Sequence, residues 1–269
     1  MDLSQNGQKL VQLYTDMVND GFDRTDGSKV QPIDVYNSFQ LQKFKSIVLP
    51  HFKKLQIETV LDYGGGGSDW DELNFDKQTK ESAKQFFGVR EVTTYEPARQ
   101  KNKKVKSDCV ICMDVLEHIF LADVAAIVRE LFSLSKKLLI INVACYKAAA
   151  LLPTGENAHI TIRDPSWWMG VITTIANEFS EIEVLLICSE TFVSGICYKS
   201  FKAQEWNDSE KFTIEEHFEH FGDKKPKHNE AVQITAKDIV KYVDILTKQH
   251  PQTGPLIQEV LRKNLPLLS

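Results

Sequence analysis

The sequence predicts an α/β fold in which a mostly parallel sheet is covered by helices, and three observations support this. Short apolar runs alternate with longer segments whose apolar residues recur at helical spacing. One such run, Val60–Tyr63, leads into four consecutive glycines, Gly64–Gly67. A buried strand that ends in a glycine turn is how open α/β sheets make room for a ligand at the strand's carboxyl end. The last two runs, 182–188 and 192–201, are close enough to pair as a hairpin, so the sheet is expected to end antiparallel.

Length and composition are those of a globular protein. The chain has 269 residues, of which 42% are hydrophobic and 26% are charged, which is enough for one large α/β domain with additions. No apolar run reaches the ~18 residues of a membrane span, and the N-terminal segment lacks the apolar stretch of a signal peptide. We therefore expect a cytoplasmic protein that does not bind membranes. The net charge of −5 argues against non-specific binding to nucleic acids, and the sequence does not indicate an oligomeric state.

The five cysteines lie in apolar, strand-like runs, which is typical of reduced core residues. Cys109 and Cys112 form a CxxC pair, but on an extended strand this spacing places the two thiols on opposite faces. No second pair lies at the spacing of a zinc site. We expect neither a metal nor a redox role for these cysteines.

Two helices are predicted ahead of the sheet. Residues 8–20 carry a helical apolar stripe that ends at Gly21. Residues 34–54 carry a second stripe, with a bend or break expected at Pro50. Together these segments form a helical lead-in, 1–54.

The first half of the sheet comes next. Ile57–Tyr63 reads as the first strand, and the glycines are followed by an irregular loop and a helix that ends near Gly88. Glu91–Tyr95 is the second strand, and Glu96 follows it. Only twelve residues separate Glu96 from the strand that begins at Cys109. Because twelve residues scarcely hold a helix and a strand, this crossover is expected to be shortened.

The second half of the sheet begins with the strand Cys109–Met113. The segment 114–135 predicts a short helix, a break and a longer helix, and Lys137–Ala144 is the next strand. A further helix starts at Pro165, with Asp164 as its N-cap, and leads to the final hairpin.

The core, 55–202, is followed by a more charged segment, 203–269, in which no further strand is evident. Within it, residues 239–246 and 256–265 look like amphipathic helices separated by the breaker PQTGP. We therefore expect a helical C-terminal extension.

A dinucleotide-binding fold is the first alternative for a strand followed by glycines. Its fingerprint requires a small residue three positions after the second glycine, where helix and strand touch. That position is Asp69 or Trp70, depending on which glycine pair is counted, and neither suits close packing. A P-loop is excluded because Gly-Lys-Ser/Thr is missing. An NAD-type oxidoreductase is therefore a disfavoured alternative.

Three motifs in order resemble the cofactor motifs of class I S-adenosylmethionine (SAM) methyltransferases. They are VLDYGGGG, the acid Glu96 at the end of the second strand, and SDCVICMDVLEHI at the third. The resemblance covers residues 57–201, including the final hairpin. It implies a Rossmann-like SAM methyltransferase sheet, parallel with an antiparallel last strand. The string LPTGENAHITIRDPSWW is also similar to that of uncharacterised phage and bacterial methyltransferases.

The resemblance implies a set of cofactor contacts that make chemical sense. The glycines leave room where the backbone passes the methionyl and ribose portions. Glu96 can accept both ribose hydroxyls, Asp62 faces the cationic end of the ligand, and Asp108 is expected at the adenine amino group. The predicted cofactor-binding residues are Asp62, Gly64, Gly66, Glu96, Asp108 and Asp114.

A second constellation predicts a metal. Asp114, Glu117 and His118 stand at i, i+3 and i+4, so on the first turn of a helix they project from one side. His159 follows the fifth strand. Two carboxylates and two imidazoles suit Mg²⁺, Mn²⁺, Fe²⁺ or Zn²⁺. The motif resembles that of metal-dependent O-methyltransferases, namely the small-RNA 3′-terminal 2′-O-methyltransferases and the ubiquinone-pathway enzymes, except that Asp114 replaces a glutamate.

A metal-free interpretation stays open, because DVLEH strings occur in many methyltransferases in which the histidine packs against or caps the next helix. His118 or His159 would then be the general base. With a metal, the ion would bind the acceptor hydroxyl and lower its pKa. We expect O-methylation of a small molecule, a glycan or a nucleotide end. The alternatives are a SAM-binding protein without methyl transfer and the NAD-type oxidoreductase.

Overall fold

The structure is a computed structural model, which describes residues 3–36, 40–200, 202, 205–206 and 208–214. The predicted helices 239–246 and 256–265, and most of the predicted extension, lie outside the described residues. Within the described ranges, no helix has both the length and the apolar character that a membrane span requires.

Seven strands form the central sheet, and two short strands form a separate hairpin near the N-terminus. The hairpin consists of β1 (Phe22–Asp23) and β2 (Lys29–Val30). The strands of the sheet are β3 (Thr59–Tyr63), β4 (Glu91–Tyr95), β5 (Ser107–Met113), β6 (Ser135–Ala144), β7 (Glu183–Ser189), β8 (Ser194–Ser200) and β9 (Asp208–Thr213). Their order across the sheet is β4-β3-β5-β6-β7-β8-β9.

Five strands of this sheet, β4, β3, β5, β6 and β7, run parallel, whereas β8 and β9 run antiparallel to their neighbours. The predicted α/β, Rossmann-like sheet with an antiparallel end is confirmed. Because the first five strands run in the same direction, their carboxyl ends meet at one edge of the sheet. This edge is where open α/β sheets bind ligands.

Helices and single turns of 3₁₀-helix connect the strands. The α-helices are α1 (Gln5–Asp20), α2 (Lys45–Leu55), α3 (Ala83–Phe87), α4 (Leu121–Leu134) and α5 (Pro165–Ala176). Turns of 3₁₀-helix are found at Pro32–Asp34, Gln40–Phe44, Pro97–Arg99 and Leu116–His118.

Two α-helices, α1 and α2, precede the sheet in the described part of the N-terminal segment. Helix α1 is capped by the Ser4 side chain and ends at Gly21, whose φ is 78°. The second predicted helix starts later than expected, because α2 begins only at Lys45 and turns of 3₁₀-helix precede it. Of the bend or break expected at Pro50, the break is wrong, since α2 continues through this proline.

The crossover from β4 to β5 is shortened as predicted, because the turn Pro97–Arg99 is the one helical element in the described segment between the two strands. The expectation that no strand follows residue 204 is wrong, because β9 pairs with β8. Five of the six residues of β9 are exposed, so this edge strand lacks the apolar alternation by which strands are recognised in a sequence.

The core lies around the central strands. Residues of β5, β6 and β7 are buried on both faces of the sheet, and α4 and α5 pack against one face, where Trp168 is fully buried. All five cysteines are free, and four of them are buried, as expected for reduced core residues.

Helix α1 is attached to the sheet domain through a buried carboxylate. Asp123, in the first turn of α4, is 7% exposed. It accepts hydrogen bonds from the Ser4 amide at 3.0 Å and from the Ser4 hydroxyl at 2.7 Å. Since Ser4 also caps α1, these bonds fix the amino end of α1 against α4.

Candidate functional site

A cavity lies at the carboxyl ends of β3, β4 and β5. The glycine turn Gly64–Gly66, Glu96 and Asp114 form its wall on the sheet side. Leu10 and Tyr14 of α1 also line the cavity. The first motif strand, the acid of the second strand and the acid after the third strand therefore face a common space.

The turn after β3 requires glycine on steric grounds. Gly64 has φ +77° and Gly66 has φ +55°, a backbone region that other residues avoid. A Cβ on Gly64 would lie 2.4 Å from a methyl group of Val115. The Gly64 amide also donates to the Tyr95 carbonyl at 2.7 Å, which ties the turn to the end of β4. The chain can therefore turn away from the end of β3 in this direction only if these positions carry no side chain.

Asp62 lies one residue before the end of β3 and lines the cavity. It is 4% exposed, and its Oδ2 accepts a hydrogen bond from the Trp70 indole at 2.9 Å. Burial raises the pKa of Asp62 to about 6, and the negative charge of Glu96 raises it further, while the hydrogen bond from Trp70 opposes the shift.

Glu96 connects the end of β4 to the glycine turn. Its Oε2 accepts from the Gly66 amide at 3.0 Å, and its Oε1 accepts from the Ala98 amide at 3.1 Å. Burial raises the pKa of Glu96, although the two hydrogen bonds oppose this. Since a carboxylate oxygen can accept two hydrogen bonds, each oxygen keeps capacity for a ligand hydroxyl.

The expectation that Asp108 meets a ligand at this edge is wrong. Strand β5 starts at Ser107, so Asp108 lies at the amino end of that strand and outside the cavity wall. Its carboxylate accepts from the amides of Glu58 and Thr59 at 3.1 and 3.2 Å. These bonds and the charge of Lys137 outweigh burial and lower the pKa of Asp108. Its role is to pair the amino ends of β3 and β5.

Asp114, His118 and His159 converge beyond the end of β5. Their ligand atoms all lie within 4.8 Å of one another, and the two imidazole rings meet edge to face with centroids 4.6 Å apart. Asp114 has φ +59°, which is uncommon for a residue other than glycine and is typical of functional positions. Three of the four predicted metal ligands are therefore close enough to share an ion.

Hydrogen bonds to the main chain fix the tautomers of both imidazoles. Nδ1 of His118 lies 3.0 Å from the Ala158 carbonyl, and Nδ1 of His159 lies 2.5 Å from the Tyr146 carbonyl. A carbonyl can only accept, so each Nδ1 carries a proton, and the lone pair of each neutral ring is then on Nε2. Burial, together with His159, lowers the pKa of His118 to about 4. His118 is thus neutral near pH 7 and available as a metal ligand or a base.

Glu117 does not belong to this group of three. The segment Leu116–His118 is one turn of 3₁₀-helix rather than the first turn of an α-helix, so the expected projection of Asp114, Glu117 and His118 from one side does not hold. Glu117 is fully buried, and its Oε1 accepts from the Ala144 amide at 2.5 Å. Its Oε2 has no hydrogen-bond partner among the described residues. Burial and the nearby charge of Asp114 raise the pKa of Glu117 well above its usual value.

Tyr14 is a site residue that sequence analysis did not identify. Its hydroxyl lies 2.6 Å from Nδ1 of His118 and donates to the Ala158 carbonyl at 3.1 Å. Burial raises the pKa of Tyr14 well above 10, so this hydroxyl keeps its proton. No local pattern could have indicated the contact, because Tyr14 and His118 are 104 residues apart.

The site thus combines hydrogen-bond acceptors for a polar ligand with three potential ligands for a divalent ion. Comparisons with known protein families, with curated proteins and with solved structures found no match. The chemistry of the site is therefore argued from its own geometry.

The glycine turn leads to a stability prediction with a matched control. Gly64→Ala should lower the free energy of unfolding by about 1–3 kcal/mol more than Gly88→Ala does. Both residues have positive φ, but a Cβ on Gly88 would meet nothing within 4 Å in the described part of the chain, whereas one on Gly64 would meet Val115. Urea denaturation measures the difference. Equal losses in the two variants would contradict the proposed steric role of Gly64.

Asp62 leads to a prediction on pH dependence. Because its folded-state pKa of about 6 lies above the ordinary 3.8, its contribution to stability is fully present below pH 3.8 and is lost as pH rises through 6. Between pH 4 and pH 7 the wild type should therefore lose about 2–3 kcal/mol of unfolding free energy relative to Asp62→Asn. Urea titrations of both proteins across this range test it. Parallel pH curves would show that the pKa of Asp62 is not raised.

Proposed function

We propose that this protein is a SAM-dependent methyltransferase. The observation that carries the proposal is the pairing of a glycine-only turn with the Glu96 carboxylate at the carboxyl ends of two neighbouring parallel strands. Both face the cavity that also contains Asp114 and His118. A nucleoside-like donor and a reactive centre can thus be placed side by side.

The residues at the sheet edge fit the donor. Glu96 keeps one acceptor position on each oxygen, which suits the two hydroxyls of a ribose. The glycine turn lets the ligand approach the main chain at Gly64 and Gly66, where side chains would fill the space. Asp62 supplies an acidic group at the end of β3 that suits the cationic end of SAM.

Asp114, His118 and His159 fit a divalent cation. Two imidazoles whose Nδ1 atoms already bond to carbonyls and one carboxylate match the donor set of two-histidine, one-carboxylate sites, which favours Fe²⁺, Mn²⁺ or Zn²⁺ over Mg²⁺. Glu117 lies beside this group, but its raised pKa keeps its carboxyl protonated near pH 7, so it can donate a hydrogen bond toward Asp114 and is not a ligand for the ion. When bound, such an ion would polarise the acceptor hydroxyl and lower its pKa.

The acceptor is proposed to be a hydroxyl of a small molecule, a glycan or a nucleotide end. Its oxygen would form a bond to the methyl carbon as the bond from that carbon to sulfur breaks. The hydroxyl proton would move to Nε2 of His118 or His159, which carry lone pairs. Since SAM is already activated, the protein contributes mainly by holding the donor and the acceptor in line.

Two other functions are alternatives for this cavity. A dinucleotide-dependent oxidoreductase is disfavoured because Trp70, where the fingerprint needs a small residue, is 4% exposed and bonded to Asp62. A SAM-binding protein without methyl transfer would use the same cavity and is distinguished by activity. The direct test is transfer of labelled methyl from SAM to panels of phenols, oligosaccharides and RNA 3′ ends, with NAD as the competing ligand in binding assays.

Glu96 should determine donor affinity. We expect S-adenosylhomocysteine to raise the melting temperature of the wild type at millimolar concentration, and Glu96→Gln to weaken its binding about 10- to 100-fold, since a charged acceptor is lost. Glu91→Gln is the control, because Glu91 is exposed at the other end of the same strand. Calorimetric titration measures the affinities. Absence of any thermal shift in the wild type would refute the donor assignment.

Metal removal should separate the two mechanisms. If the ion assists, a chelator should abolish methyl transfer, Mn²⁺, Fe²⁺ or Zn²⁺ should restore it, and His159→Ala should lose metal binding. His51→Ala is the control, because His51 bonds to Glu183 at 2.7 Å at the amino end of β7. Metal content and initial rates are measured. Full activity after chelation would instead leave His118 or His159 acting as a base without a metal.

A further inference from the structure

The contact between Tyr14 and His118 links the N-terminal helix to the reactive centre. The two rings meet edge to face at 5.5 Å, and the Tyr14 hydroxyl lies within hydrogen-bond distance of both Nδ1 and the Ala158 carbonyl. Three polar atoms thus form a closed triangle, because Nδ1 is also 3.0 Å from that carbonyl.

The number of protons available in this triangle determines which ring nitrogen of His118 is protonated. The Ala158 carbonyl only accepts, and the Tyr14 hydroxyl has a single proton. If that proton goes to the carbonyl, Nδ1–H is shared between the phenolic oxygen at 2.6 Å and the carbonyl at 3.0 Å, all three groups are satisfied, and Nε2 of His118 keeps its lone pair. If it went to Nδ1 instead, Nε2 would carry a proton and could bind neither a cation nor a hydroxyl proton.

Two polar contacts hold helix α1 against the sheet domain. At its amino end Ser4 bonds to Asp123, and further along Tyr14 bonds to His118. Between these points Leu10 and Val11 line the cavity. A ligand in the cavity therefore contacts the same helix that contacts the imidazole.

We propose that Tyr14 is a positioning residue, which holds His118 with Nε2 free. The reactivity of Asp114, His118 and His159 then depends on the position of α1 against the sheet domain. The hydrogen bond between Tyr14 and His118 does not depend on the proposed function. The effect of Tyr14 on cation binding does rest on the proposed function. The two parts are therefore tested separately.

The first experiment uses metal-free protein labelled with ¹⁵N-histidine. NMR should show a hydrogen-bonded Nδ1–H of His118, assigned by its loss in His118→Gln. In Tyr14→Phe this signal should shift and its exchange with water should become about tenfold faster. Tyr198→Phe is the control, since Tyr198 lies in β8, outside the cavity wall. An unchanged His118 signal in Tyr14→Phe overturns the proposal.

The second experiment measures Co²⁺ affinity from its absorption spectrum. Tyr14→Phe should weaken binding about 10- to 100-fold, as losses of outer-shell partners of metal ligands do, and Tyr198→Phe should not. Asp123→Ala, which frees the amino end of α1, should weaken Co²⁺ binding in the wild type but add little in Tyr14→Phe. Equal Co²⁺ affinity in Tyr14→Phe and wild type overturns the positioning role. If the wild type binds no Co²⁺, the metal assignment fails, and the NMR result alone decides the role of Tyr14.

Discussion

The hydrogen bond from the Gly66 amide to the Glu96 carboxylate is the interaction on which the rest of the candidate site depends. It joins the ends of two neighbouring parallel strands at 3.0 Å and so determines the direction in which the glycine turn leaves the sheet. The turn in its new direction packs against Val115, which follows Asp114. The shape of the cavity beside the glycine turn and the position of Asp114 are thus connected through Val115.

The two sides of the cavity differ in how their buried polar atoms are paired. Beside the glycine turn, Asp62 and Glu96 accept hydrogen bonds from Trp70 and from main-chain amides, so these hydrogen bonds hold the two acids in place without a ligand. At Asp114, His118 and His159 the pairing is incomplete. Both imidazoles bond to a carbonyl through Nδ1, and their Nε2 atoms are left for a ligand. An unpaired polar atom in a buried place costs free energy, and such atoms are retained where a ligand completes them.

The parts of the fold with strong local signals could be predicted from sequence, and those that depend on long-range geometry could not. Apolar runs, glycines and the short crossover indicated the sheet, its antiparallel end and the acid at Glu96. Asp108 was placed wrongly because β5 begins at Ser107, so this acid lies at the amino end of a parallel strand. Glu117 turns inward because the local helix is of the 3₁₀ type, which helical spacing alone does not reveal. Tyr14 reaches His118 through tertiary packing that no sequence pattern records.

The left-handed backbone at Asp114 has a consequence for how this site can vary among related sequences. At φ +59°, aspartate and asparagine are enriched because their short polar side chains can bond locally, whereas longer side chains meet a cost of about 1–2 kcal/mol. Among acids, the turn therefore selects aspartate over the glutamate of the metal-dependent O-methyltransferases that the motif resembles. Asparagine and glycine would preserve the turn and lose the charge. A sequence search for divergent relatives should therefore accept residues that tolerate a left-handed backbone at this position, and should treat a negative charge there as the second criterion.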